Sequence, residues 1–297
     1  MIYVFGSIMQ LIRVETDKEQ RYEQFEFTLQ YKNSVGGKGA LQALAAAKAG
    51  GKTAIVAKTG DDELAKHILA RLRKHGVITS GVARAEKMQT GTAIRLEHEN
   101  RTILGIGANM KASADQVPEE VLDSRNVILT QTELKAEENS KLLRKAKEKG
   151  AKTILNASPR FEFPKEDLEN IDYLICGIHH KDKWTKLVDP TANYSHLTTI
   201  FISPEGDVEL NMKGNSSKLP KAKLGRINWE HPEGYEDTFC GTFAAGLYAA
   251  QPIDKALLKA HLASALTASK PGGYDTIPYS DEVDDALKAL AKATGNS

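Results

Sequence analysis

The residues best suited to handle an anion lie in HPEGYEDTFCGTFAAGL (231–247). Phe239, Phe243 and Leu247 fall four apart, which predicts a helix burying that face. Gly234 to Asp237 then occupy its first turn, where unpaired amides and the positive end of the helix dipole favour phosphate. Asp237 adds a carboxylate able to take a proton. Glu236 is discordant. Two like charges about 4 Å apart repel by roughly 4 kcal/mol at an effective dielectric near 20. Bound polyphosphate therefore needs a cation beside Glu236, or the side chain must turn away. A second stretch, VGGKGALQALAAAKAG (35–50), sets Gly37 and Lys38 before a helix of small residues. Glycine lets backbone approach a ligand, and Lys38 can hold a polyol or phosphate oxygen. A tight turn into a closely packed helix explains the same residues without a ligand.

Other candidates carry no chemistry. His179 and His180 are adjacent at a strand end and point to opposite sides, so they do not chelate, and no metal site is expected. The charged helix at 135–150 reads as a solvated face, and Trp184 and Trp229 as packing residues. There is no G-x-x-x-x-G-K-[ST], and GIGANM (105–110) lacks the third glycine of a dinucleotide fingerprint.

The elements that must position these residues alternate. IYVFGSI (2–8), TAIVAKTG (53–60), NVILTQ (126–131), KTILNAS, DYLICG and TTIFIS read as buried strands. Helices are expected at 40–49, at 63–76 with Asp61-Asp62 as cap, and at 136–149. This βα rhythm predicts an α/β fold with a mostly parallel sheet. Segments 22–31 and 92–106 alternate polar and apolar residues instead, which predicts a small antiparallel accessory sheet, a lid, within one domain. Forty basic and 39 acidic residues give a net charge of +1, which offers no field for nucleic acid or an anionic membrane. Cys176 and Cys240 sit among apolar neighbours and read as buried free thiols. The apolar N-terminal run is too short for a signal sequence or a membrane span, so a cytoplasmic protein is expected.

GGKGALQA (36–43), TGDDE (59–63), TGTA (90–93), GAN (107–109), QTE (131–133), LNASP (155–159), GYEDTF (234–239) and KPGG (270–273) fall in the order of the ribokinase, or PfkB carbohydrate kinase, family, which the chain resembles along its whole length. The resemblance implies a ribokinase-like three-layer sandwich over 1–297, with lid strands inserted at about 11–35 and 92–106. It implies ATP and magnesium as cofactors, transfer of the γ-phosphoryl to a sugar hydroxyl, and a possible homodimer through the lid. Carried across, the catalytic aspartate is Asp237, with Gly234 in the anion hole. Gly37, Lys38 and Glu133 contact the sugar. Tyr235, Glu236 and Gly272 fall against the nucleotide phosphates.

Several family positions differ. The polar pair of G-S-x-N-x-D is absent from Gly6-Ser7-Ile8-Met9-Gln10-Leu11, where Gln10 substitutes only after a one-residue slip. The asparagine of GGKGANQA is Leu41. The N-x-x-E that arranges water around magnesium falls on Gly177 to His180, and the aspartate that helps hold potassium is His231. No potassium activation is therefore expected. Two further functions stay open beside the sugar kinase: a silent ligand-binding or regulatory protein of the same fold, and a nucleoside kinase, whose flat substrate would suit Met9 and Leu41.

Overall fold

Strands of branched apolar residues with short turns between them and the helices build a central sheet. The computed structural model describes the chain except residues 16–20, 23, 24, 27, 29, 100, 188–193, 213, 214, 220–230, 232 and 294–297. The N-terminal part runs β1 (Ile2–Phe5), β2 (Met9–Glu15), β3 (Arg21–Tyr22), β4 (Phe25–Glu26), β5 (Gln30–Gly36), α1 (Lys38–Lys48), β6 (Thr53–Thr59), α2 (Glu63–Lys74), β7 (Ile78–Arg84), β8 (Gly91–Leu96) and β9 (Arg101–Gly105). There follow β10 (Val127–Gln131), α3 (Ala136–Glu148), β11 (Lys152–Asn156), β12 (Tyr173–Gly177), α4 (Lys181–Leu187), β13 (Thr198–Ile202), β14 (Val208–Met212) and β15 (Asn215–Leu219). The chain closes with α5 (Tyr235–Tyr248), α6 (Ile253–Ala268) and α7 (Ser280–Ala293).

The nine-stranded sheet has the order β15-β14-β13-β12-β11-β10-β1-β6-β7. Its pairs are parallel from β7 to β13, and β14 and β15 add antiparallel strands. Alternate residues feed two cores. Ile2, Val4, Ile55, Val127 and Leu129 pack with α1, α2 and α5 on one face. Phe5, Val56 and Ile128 pack with α3 on the other. This is the three-layer α/β sandwich. Trp184 is buried in a third core beside Phe201, while Trp229 lies outside the described residues. Both cysteines are buried free thiols. No helix among the described residues is long and apolar enough to cross a membrane.

One expectation about the elements needs correction. The small sheet is real but is built differently, in the order β5-β2-β8-β9. Its first half uses 9–15 and 30–36; of 22–31, Gln30 and Tyr31 belong to β5, and among the other described residues Tyr22 pairs with Phe25 in a separate sheet. The stronger polar alternation of 22–31 masked the more apolar strand that starts at Met9. One of the pairings, β2 with β8, is also parallel. In α5, the face of Phe239, Phe243 and Leu247 is buried as expected, and burial extends further. Asp237 to Leu247 are all buried, because Phe239 and Phe243 fill the sheet side while Gly241 lets α1 come close on another.

Candidate active site

The chain leaves β1 for β6 on one side and returns to β10 on the other, so strand order reverses at β1. The crevice beyond the strand ends at such a reversal is where open α/β sheets bind ligands. A cleft of about 640 Å³ lies there. The small sheet walls it with Leu11, Arg13, Ala93 and Arg95, and the main body contributes Gly37, Lys38, Glu133 and Asp237.

Two helix starts meet in it. Gly37 precedes α1 at φ 86° and Gly234 precedes α5 at φ 74°, a left-handed conformation that a side chain would strain. Helix α5 begins at the cleft, which Gly234 and Tyr235 line, and Asp237 follows in its first turn. Lys38 Nζ lies 3.0 Å from Asp237 Oδ1 and 3.7 Å from Glu236 Oε2. The Lys38 amide donates to Glu133 Oε2 at 2.8 Å, and the Ser7 hydroxyl donates to the same oxygen. A single lysine is thereby ringed by three carboxylates.

Their surroundings set their charge. Burial pushes the Asp237 carboxyl above the ordinary aspartate value; Lys38 pulls it back, and Glu236 adds to the rise. Burial likewise raises Glu133 against the pull of the Ser7 hydroxyl and Lys38. Burial works against the Lys38 ammonium, but Asp237, Glu236 and Glu133 outweigh it and hold the lysine charged.

Glu236 is only partly exposed and does not stand free. Asn156 Nδ2 donates to its Oε1 at 2.6 Å, and the Ser158 hydroxyl to its Oε2 at 3.2 Å. Gln42 Nε2 donates to both Asp237 Oδ1 and Asn156 Oδ1, each at 2.9 Å, and Gln131 Nε2 donates to Gln42 Oε1 at 2.7 Å. This chain of amides was not singled out from sequence. Its signal was present: a glutamine inside an alanine helix and an asparagine ending an apolar strand are polar residues at core positions.

Of the residues expected in the site, Asp237, Gly234, Tyr235, Gly37, Lys38 and Glu133 line one cleft. Tyr235 also accepts a bond from the Ser264 hydroxyl through its carbonyl. Gln10 does not take part. Leu11 and Arg13 face the cleft from β2, and the two-residue period sends Gln10 to the opposite side. Gly272 is not among the lining residues; its neighbour Gly273 is. His231 lines a smaller cavity of about 230 Å³ with Arg13, Lys32 and Glu233. Among the described residues no group of three histidine, cysteine or acidic side chains could hold a metal ion.

The model of the pfkB family carbohydrate kinases matches residues 1–198. The chain belongs to this family. Its members are phosphotransferases with an alcohol acceptor, and ribokinases recur among the relatives. The chain is 26% identical over 294 residues to the ribokinase of Bacillus subtilis, covering 96% of this chain and 99% of that protein. Against the Lactococcus lactis ribokinase the figures are 27% over 297 residues, 97% and 97%. Among solved structures, the Thermotoga maritima ribokinase has a TM-score of 0.83 at 22% identity, covering 97% of this chain and 99% of that one. The Arabidopsis thaliana ribokinase complexed with ribose and ATP has a TM-score of 0.81 at 22% identity, covering 97% and 98%. The pfkB family member described here keeps the shared fold.

Proposed function

We propose that the protein transfers the γ-phosphoryl group of ATP to a hydroxyl of a sugar or sugar-like alcohol. The observation that carries this reading is the position of Asp237: buried at the cleft floor, in the first turn of a helix that starts in the same cleft, with Lys38 at 3.0 Å. The acceptor hydroxyl gives its proton to Asp237 as its oxygen bonds to the γ-phosphorus, and the bond from that phosphorus to the bridging oxygen of ADP breaks. The α5 amides meet the charge that develops on the phosphoryl oxygens. Glu133 and Lys38 orient the acceptor. Magnesium bound with the nucleotide would neutralise phosphate charge, and Glu236 is the carboxylate of the same helical turn. The Arabidopsis relative, described with ribose and ATP, supports the pairing of a sugar with ATP. The test is a screen of sugars, polyols and nucleosides with ATP, following both ADP release and a phosphorylated product. ADP formation without an acceptor-dependent product would count against the reading.

A second reading, a silent protein that keeps a ligand, is favoured by one feature. The Glu236 carboxylate already satisfies Asn156 and Ser158 beside the α5 turn, as a resident anion where phosphate would approach. Parental turnover discriminates: the kinase reading predicts transfer to at least one acceptor by the unsubstituted protein, with Glu236→Gly then tightening nucleotide binding at least tenfold. A parent with no turnover on any acceptor, and a variant that merely gains nucleotide binding, would favour the silent protein.

A further inference from the structure

Arg13 and Arg95 are register partners on the neighbouring strands β2 and β8, and both face the cleft. Lys32 is the partner of Arg13 on β5, and Thr102 is the partner of Arg95 on β9. One row across the small sheet thus reads Lys32–Arg13–Arg95–Thr102. Like charges side by side on one face of a sheet destabilise it, so the row needs an explanation. Resident acids supply only part of one. Arg13 Nη2 meets Glu233 Oε2 at 2.6 Å, and Arg95 Nε lies 3.6 Å from Glu97 Oε2, with Thr102 accepting from Nη1 at 3.4 Å. The Nε–H of Arg13 is buried and finds no acceptor among the described residues.

Among the described residues, the remaining acidic or histidine side chains around the row are Glu15 and His231 in the smaller cavity, and Glu205 in the cleft. Glu133 and Asp237 are committed to Lys38 at the floor. Between floor and row the cleft is lined by the apolar side chains of Leu11, Leu41 and Leu104. A ligand held at both ends therefore presents a hydroxyl to Asp237 and an anion to the arginines.

From this arrangement we infer that the acceptor is an anionic sugar derivative, carrying a phosphate ester or a carboxylate that Arg13 and Arg95 bind. This rests on the kinase reading for what happens at Asp237, but not for the anion site itself. Guanidinium groups suit the task because they offer planar, paired donors to carboxylate and phosphate oxygens. The anion exchanges with Glu233 for Arg13 and relieves the repulsion within the row.

The test uses calorimetric titration of the full-length protein with fructose 6-phosphate against fructose, and with gluconate against glucose. At least one anion should bind tenfold or more tightly than its neutral counterpart, and the pair that responds separates phosphate from carboxylate. Arg13→Met and Arg95→Met should each weaken that binding at least tenfold, while Arg13→Lys and Arg95→Lys retain part of it; melting curves verify that the variants fold. Rising salt should weaken the anion and leave the neutral sugar unchanged. If neither anion outbinds its neutral partner, or if the methionine variants bind it undiminished, the inference is overturned. ATP turnover is read separately. Arginine-dependent anion binding without phosphoryl transfer would sink the kinase reading alone, and transfer to neutral sugars without anion preference would sink this one alone.

Discussion

Asp237 is the residue on which charge, burial and position converge. It must be ionised to accept a proton, so turnover falls as pH drops through its pKa, which burial holds above the ordinary value of 3.8. Glu236 adds to that elevation. Glu236→Gln should therefore move the acidic limb of the pH–rate profile to lower pH. A limb that stays in place, or moves up, would separate the two carboxylates. The same burial bears on stability. A carboxyl whose pKa is raised on folding binds its proton more tightly in the native state, so the native state loses relative stability as pH rises from the ordinary to the raised value. Asp237→Asn removes that penalty at neutral pH and should raise the melting temperature, as checked by calorimetry. Sequence made Asp237, Lys38 and Glu133 visible because each sits beside a glycine turn or strand end within a recognisable motif. It did not reveal what Glu236 does, since its carboxylate direction depends on Asn156 and Ser158, about eighty positions away at and just beyond the end of β11.

At the scale of elements, α5 carries the site and is buried all round. Small residues make this possible. A Cβ on Gly241 would collide with the Gln42 carbonyl of α1 and with the Ala45 side chain. Gly241→Ala should force α1 and α5 apart and cost about 1–3 kcal/mol, the usual range for overpacking. Because Gln42 bonds Asp237 across that contact, turnover should fall as well, with a denaturation curve and a rate measurement checking the two effects. Unchanged stability would mean the helices are not locked at this point. Strand and helix positions along the main sheet were legible because buried parallel strands read as unbroken apolar runs. The small sheet was only half legible: β8 and β9 alternate clearly, whereas β2 opens with buried Met9, pairs with both β5 and β8, and hides its cleft-facing Arg13 in an ordinary polar alternation.

For the whole molecule, the small sheet is both a wall of the cleft and an open edge. Strand β9 is exposed along its length and ends the sheet, with Ile103 49% exposed. Unpaired strand edges invite a second chain, so we propose a homodimer through this edge. Light scattering should give twice the chain mass at micromolar concentration, and Ile103→Lys should shift it toward monomer; a wild-type monomer would contradict this. The transfer reaction itself is tested most directly by one comparison, the turnover and nucleotide affinity of Asp237→Asn beside the parent, on the best acceptor found. Loss of the proton acceptor should lower kcat about 100- to 10,000-fold and leave the nucleotide Kd within a few-fold, because the carboxylate acts on the transition state rather than on the bound nucleotide. Near-parental kcat in that variant would contradict the account and remove Asp237 from the chemistry.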